Sequence, residues 1–127
     1  MQDNQLFEYA VIRVVPRVER EEFLNVGVIL FSRQQKFLKA LFTIDKTRLQ
    51  AFSDKLDLSE VEQHLHSLER ICNGGPGSGP IGQYDMAARF RWLTATRSTV
   101  VQTSKVHPGF CNDPEEAIQK LFKQLVL

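Results

Sequence analysis

Apolar and polar residues alternate along the first third of the chain in the way that β-strands require. Residues 6–15 are rich in β-branched and aromatic side chains and end at Pro16, which cannot donate a ladder hydrogen bond. Residues 22–32 and 36–43 show the same preference, with the polar turn SRQQK between them. Successive strands joined by short polar links predict an antiparallel meander.

The second strand, EFLNVGVILFS, raises a question about its two faces, because alternate residues share one side of a strand. Asn25 and Gly27 interrupt one face, and such a gap suits a bulge, a close backbone or a ligand. Arg13 of the first strand is expected beside them, where its charge requires an acid or an outside anion. In the structural alternative, Gly27 admits a bulge or the approach of Trp92, and Asn25 satisfies backbone groups. The other face is predicted to be unbroken and apolar, with Leu24, Val26, Val28 and Leu30.

The middle and the end of the chain have helical periodicity instead. Asp45 is expected to cap a short helix, and Ser59 with Glu62 forms a capping box before an apolar stripe. The segment YDMAARFRWL predicts a third helix, and Asp113 followed by proline begins the last one. Between these two, residues 98–106 alternate again and predict a fourth strand.

Together these elements predict an α+β fold: an antiparallel meander sheet of about four strands packed with three to four helices in two layers. The helices that begin at Ser59 and Asp113 are expected on the same face of the sheet. Residues 1–127 are expected to form a single domain. The Gly/Pro-rich loop 74–83 is expected to be a mobile connector, because its GSGPIG motif lacks the strand–helix setting that dinucleotide binding needs.

Composition removes several classes of function. The net charge is +1, so nothing global attracts nucleic acid or an anionic membrane. A signal-peptide pattern and a bilayer-length apolar run are both absent, so we expect a cytoplasmic protein with no membrane contact and free thiols at Cys72 and Cys111. His64 and His66 point to different sides of a helix, and no metal or cofactor is expected.

The candidate binding residues concentrate late in the chain, where arginines alternate with aromatic residues. Guanidinium groups bind phosphates and carboxylates, and aromatic rings beside them stack on bases. In a structural alternative the aromatic rings are core and the arginines pair with acids such as Glu8. A third possibility is a hot spot for a protein partner, where Arg and Trp are enriched. The candidate anion or partner surface comprises Arg13, Asn25, Arg89, Arg91, Arg97, Ser98 and His107.

Two parts of the chain resemble one known family. EFLNVGVILF near the start, and ARFRWLTATRSTVVQTSKVHPG followed by DPEEAIQKLFKQLV near the end, are similar to the bacterial domain-of-unknown-function family 3037. The resemblance brings no reaction with it. Members of this family are often encoded beside a HipA-like serine/threonine kinase, which implies, by association, a bacterial cytosolic protein that acts with such a kinase.

Two functions of different class follow. The first is a non-enzymatic protein-interaction or regulatory partner, with the HipA-like kinase as the implied partner, because no nucleophile, acid pair or metal set has the spacing that chemistry needs. The second is a nucleic-acid or phosphate-binding protein, or a small metal-independent phosphodiesterase. In that enzyme His107 would transfer the proton and the arginines would stabilise the phosphorane.

Overall fold

The computed structural model describes residues 4–97 and 99–127, and an antiparallel sheet lies at its centre. The bounds of its strands are β1 Gln5–Val14, β2 Leu24–Ser32, β3 Phe37–Phe42, β4 Val101–Thr103 and β5 His107–Cys111. The strands lie in the order β3-β2-β1-β4, and β5 also pairs with β1. The first three strands form the meander that the sequence predicts, so the α+β class and the antiparallel sheet are confirmed.

The predicted fourth strand is two strands in the structure, and the second of them lies beyond the predicted range 98–106. Between β4 and β5, Ser104 continues the contact with β1: its amide donates to Val11 O over 2.8 Å, and its hydroxyl accepts from Val11 N at 2.8 Å. The serine hydroxyl therefore takes the place of a ladder carbonyl where the strand is interrupted. Ser98 itself lies outside the described residues.

In the described residues, each of the four α-helices begins at an aspartate whose carboxylate accepts a backbone N–H of the first turn, as a good N-cap does. Asp45 and Asp113 are the caps that the sequence predicts. The longest helix begins at Asp57 rather than Ser59, and Asp85 caps the third. The bounds of the helices are α1 Lys46–Phe52, α2 Leu58–Asn73, α3 Met86–Leu93 and α4 Pro114–Leu125.

The helices cover both faces of the sheet, so the two-layer arrangement was wrong. Buried residues of α1, α2 and α3, such as Leu49, Leu65 and Phe90, pack in one core cluster with β-strand residues that share one face. Ile118 of α4 packs in a second cluster with Leu30 and its neighbours on the opposite face. The two capped helices that were expected side by side therefore lie on opposite sides.

A bulge in β2 explains this error. Gly27 still pairs with Ile12, but Asn25 already lies opposite Arg13, so Val26 is an extra residue. Side chains beyond a bulge change face, because the strand repeat is two residues. The four residues of the predicted apolar face divide between the helical layers: Leu24 and Val26 on the side of α1 to α3, Val28 and Leu30 on the side of α4.

The gap at Gly27 is filled by the backbone of β3. A Cβ atom at this position would lie 2.5 Å from Leu41 O and 2.8 Å from Phe42 Cβ. The structural alternative is therefore confirmed for Gly27, with β3 rather than Trp92 as the close neighbour. Gly27 also lies on the face opposite Asn25, so the two residues do not form one site.

The Gly/Pro-rich segment 74–83 is folded. Ser78, which is buried, donates its hydroxyl to Gly75 O at 2.5 Å, and Gln83 Nε2 donates to the same carbonyl at 2.9 Å. A Cβ atom at Gly82 would overlap the Ser78 side chain. Because these contacts close the segment on itself, they count against an open connector.

Replacing Gly27 with alanine tests the close approach of β3. We expect Gly27→Ala to lower the free energy of unfolding by about 3 kcal/mol, since the added methyl meets backbone that must shift. Gly77→Ala is the control, because its Cβ meets nothing within 4 Å and only its φ of 85° opposes the change. We expect Gly77→Ala to lower the free energy of unfolding by about 1 kcal/mol. Equal losses in urea denaturation would contradict the steric account.

The two thiols should differ in accessibility. Burial raises the pKa of Cys72 to about 12, and it also raises the pKa of Cys111, which is less buried. At pH 8 the Cys72 thiol, with a pKa of about 12, is ionised in about one molecule in ten thousand. We expect a disulfide reagent to modify Cys111 slowly in the folded protein and Cys72 only in denaturant. Rapid reaction of Cys72 in a Cys111→Ser variant would contradict its burial.

Candidate functional site

Arg89 joins three segments of the chain. Its Nη1 donates to the carbonyl oxygens of Ile71 at 2.9 Å and Cys72 at 2.7 Å, and its Nε donates to Tyr84 O at 3.0 Å. The last carbonyls of a helix lack intrahelical partners and carry the negative end of the dipole, so a guanidinium suits them. At Gly74 a Cβ would lie 2.8 Å from Arg89 Nη1, which explains the glycine there. Arg89 is thus a cap for α2.

Arg91 makes a two-pronged ion pair with Glu8. Its Nη1 and Nη2 donate to the two carboxylate oxygens at 3.0 and 2.9 Å. Such fork-to-fork geometry is the strongest form of the arginine–carboxylate contact. The Arg91 side chain is 56% exposed and that of Glu8 is 27% exposed, so water screens the ion pair. The pair links α3 to β1 and contributes only modestly to the stability of the fold.

Arg97 lies against Trp92, 4.1 Å from its ring centroid. It also donates to Leu93 O at 3.5 Å and to the Trp92 carbonyl, so it caps the end of α3. Trp92 is 40% exposed, so the structural alternative, which places the aromatic rings in the core, is wrong for this residue. Phe90 is fully buried, as that alternative predicts.

The three arginines of the predicted surface therefore point in different directions. Arg91 donates to an acid, as the structural alternative expects, whereas Arg89 and Arg97 donate to backbone carbonyls instead. Guanidinium groups held in this way at separate places do not make one continuous anion surface. A binding role for any of them stays a prediction.

Arg13 and Asn25 lie opposite each other on β1 and β2. The Arg13 guanidinium carbon lies 3.8 Å from the centroid of the Phe23 ring, a cation–π contact. Asn25 Nδ2 donates to Leu125 O at 3.1 Å and satisfies a carbonyl at the end of α4. Arg13 Nε and Asn25 Oδ1 are both buried without a hydrogen-bond partner within the described chain. The first is a donor and the second an acceptor, on residues that are paired across β1 and β2.

His107 lies in β5 opposite Tyr9, with the two rings 5.4 Å apart. Tyr9 precedes Arg13 by four residues along β1, which corresponds to about 13 Å at the rise of a strand. His107 is therefore separated from Arg13 by a similar distance along the sheet. His107, Arg13 and Asn25 therefore do not converge on one concavity. Within residues 4–97 and 99–127, no three His, Cys, Asp or Glu side chains are grouped to hold a metal ion. No helix of that part is long and apolar enough to cross a membrane.

The sequence analysis missed an apolar surface at the end of the sheet. Phe110 is 70% exposed, and its cross-strand partner Leu6 is 49% exposed. Leu6 lines a cavity of about 180 Å³ together with Glu8, Arg33 and Arg91. We call Leu6 and Phe110 the edge patch, and the three charged residues its rim. Ending the fourth strand at residue 106 placed Phe110 in a loop and hid its pairing with Leu6.

The comparison with known proteins identifies the family. The family model described as "Protein of unknown function (DUF3037)" matches residues 9–126. The chain belongs to the DUF3037 family. The resemblance seen in the sequence is thus confirmed, and the match includes the middle of the chain as well. Neither a curated protein nor a solved structure matches the chain.

Replacing the arginines one at a time separates their roles in this DUF3037 member. We expect Arg89→Ala to lower the free energy of unfolding by about 2–3 kcal/mol, because it leaves carbonyls of α2 without their charged donor. Lysine should not restore it, since one ammonium cannot reproduce the fork. Arg91→Ala should lose at most about 1 kcal/mol, because its ion pair is exposed. Melting curves that show Arg89→Ala to be silent would contradict the capping role.

Proposed function

We propose that this DUF3037 chain is a cytoplasmic bacterial protein-binding domain without catalysis, and that its partner is a HipA-like serine/threonine kinase. The observation that supports binding is the edge patch: Phe110 is 70% exposed opposite Leu6, which is 49% exposed. The choice of partner rests on the association that the family resemblance implies.

The composition of the edge patch suits a protein partner. Protein interfaces place apolar and aromatic side chains at their centre and polar ones around them. Here two large apolar residues lie beside a rim that contains one carboxylate and two guanidinium groups. Because Glu8 and Arg91 neutralise each other, the remaining charge is that of Arg33. A complementary partner therefore offers an apolar pocket with an acidic group beside it.

The partner is expected to engage side chains rather than to add a strand. Pro108 is the second residue of β5 and has no N–H to offer, and this edge of the sheet is interrupted between the end of β4 at Thr103 and the start of β5 at His107. Prolines and interruptions of this kind protect sheet edges against pairing with another chain. The energy of binding is thus assigned to burial of Phe110 and Leu6.

The second function of the sequence analysis, phosphate binding or phosphodiester cleavage, has weaker support. Arg89, Arg91 and Arg97 already donate to groups of the chain. His107 lies on β5, against Tyr9. No observation brings these side chains to a common reacting atom, so we propose the binding function alone.

The test is direct binding between the purified chain and a purified HipA-like kinase of the same organism, measured by calorimetry after nuclease treatment. We expect a stoichiometric complex whose Kd rises at least about tenfold, or 1.4 kcal/mol, in a Leu6→Ser/Phe110→Ser double variant. The melting temperature should change little, because exposed side chains contribute little to folding.

Tyr84→Ser is the matched control. Tyr84 is 52% exposed, similar to Leu6, but it belongs to the segment before α3 rather than to the edge patch. The Tyr84→Ser variant should bind the kinase with unchanged affinity. A complex that forms equally well with the double variant would disprove the role of the edge patch, and no complex with the kinase would disprove the partner.

A further inference from the structure

A groove of about 280 Å³ lies between α2, the end of α3 and β4. Its apolar wall combines residues from all three elements: Leu68 and Ile71 of α2, Leu93 of α3 and Val101 of β4. Trp92 forms part of the same wall and remains 40% exposed. An apolar concavity with a few polar groups at its border is the usual form of a small-molecule site.

We propose that this groove binds a small amphiphilic acid, with the apolar body against Trp92 and Leu93 and a single carboxylate on Arg97. The proposal concerns a surface different from the edge patch and does not depend on the kinase. It rests on the charge of the lining, on the fixed position of the guanidinium and on the size of the groove.

The charge of the lining selects the sign of the ligand. Among the twelve described residues that line the groove, Arg97 carries the formal charge, and none of these twelve is an aspartate or a glutamate. His64, Ser67 and Gln102 add hydrogen-bonding groups to the lining. One guanidinium balances one carboxylate, whereas a phosphate of about two negative charges would keep an unpaired charge beside an apolar wall.

The Arg97 guanidinium is held in place by the chain. It stacks on the Trp92 ring and donates to the carbonyls of Trp92 and Leu93. A guanidinium has five N–H donors, so these contacts leave others for a ligand. Because the side chain is already ordered, a ligand loses less conformational entropy in binding to it than to a mobile arginine.

The size of the groove limits the ligand. A water molecule occupies about 30 Å³ of liquid, so about 280 Å³ holds roughly nine or ten non-hydrogen atoms. Octanoate, with about ten such atoms, fills that volume. It therefore serves as the probe, with octan-1-ol and octylammonium as ligands of the same number of carbon atoms but different charge.

The chain reports occupancy by itself, because Trp92 is its single tryptophan. We expect octanoate to change the tryptophan fluorescence along a saturable curve with a Kd of about 1 mM or below. Octan-1-ol should bind at least about tenfold more weakly, and octylammonium should show no saturable change. Equal affinity for the acid and the alcohol would overturn the role of the charge, and no saturation with octanoate would overturn the site.

Two variants test the assignment to Arg97. Arg97→Gln should weaken the binding of octanoate at least about tenfold and leave the binding of octan-1-ol unchanged. Arg91→Gln, outside the groove, should change neither affinity.

Since Arg97 touches Trp92, the fluorescence could change with the variant itself, so the backbone amide NMR shifts of Val101 and Gln102 are followed as a second readout. Ala95→Glu keeps the Arg97–Trp92 contact and supplies a competing carboxylate, so it should also weaken octanoate. Octanoate affinity that survives Arg97→Gln and Ala95→Glu would overturn the proposal.

Discussion

Strand β2 is buried on both faces from Val26 to Ser32, and the positions of the helices follow from that burial. An antiparallel strand with one solvated face needs one helical layer, but a strand without a solvated face needs two. Helices α1 to α3 supply one layer and α4 supplies the other. Beside the bulge, Val26 faces the layer of α1 to α3, whereas Val28 faces α4. Gly27 completes the arrangement by admitting the backbone of β3 at a distance that excludes a side chain.

Several charged residues of this fold satisfy backbone groups at helix ends. Aspartates accept the first N–H groups of the helices, and basic or amide side chains take the last carbonyls. Arg89 donates to the last carbonyls of α2, and Arg97 donates to those of α3. At the end of α4, Asn25 donates to Leu125 O, and Arg48 Nη1 donates to Val126 O at 3.0 Å. An arginine-rich segment with interleaved aromatics is typical of anion binding, but the same residue types are equally suited to satisfying carbonyls that helices leave without partners.

The sequence was sufficient for features that depend on local chemistry. The caps at Asp45 and Asp113 follow from residue type and position, and the proximity of Arg13 to Asn25 follows from pairing of adjacent strands. It was insufficient where a single inserted residue reverses the faces of a strand, as Val26 does, because periodicity carries no mark of a bulge. A signal for two helical layers was nevertheless present: the run VGVILF contains no polar residue on either face.

The two surfaces proposed for binding are neighbours of the same short helix. Arg91 of α3 belongs to the rim of the edge patch, and Trp92, the next residue, belongs to the wall of the groove. Successive helical residues point about 100° apart, so α3 presents them to different surfaces. Phe90 buries the helix in the core, and the three hydrogen bonds of Arg89 fix its orientation relative to α2. Because α3 is held in this way, we expect binding at the two surfaces to be independent as long as Arg89 keeps its contacts.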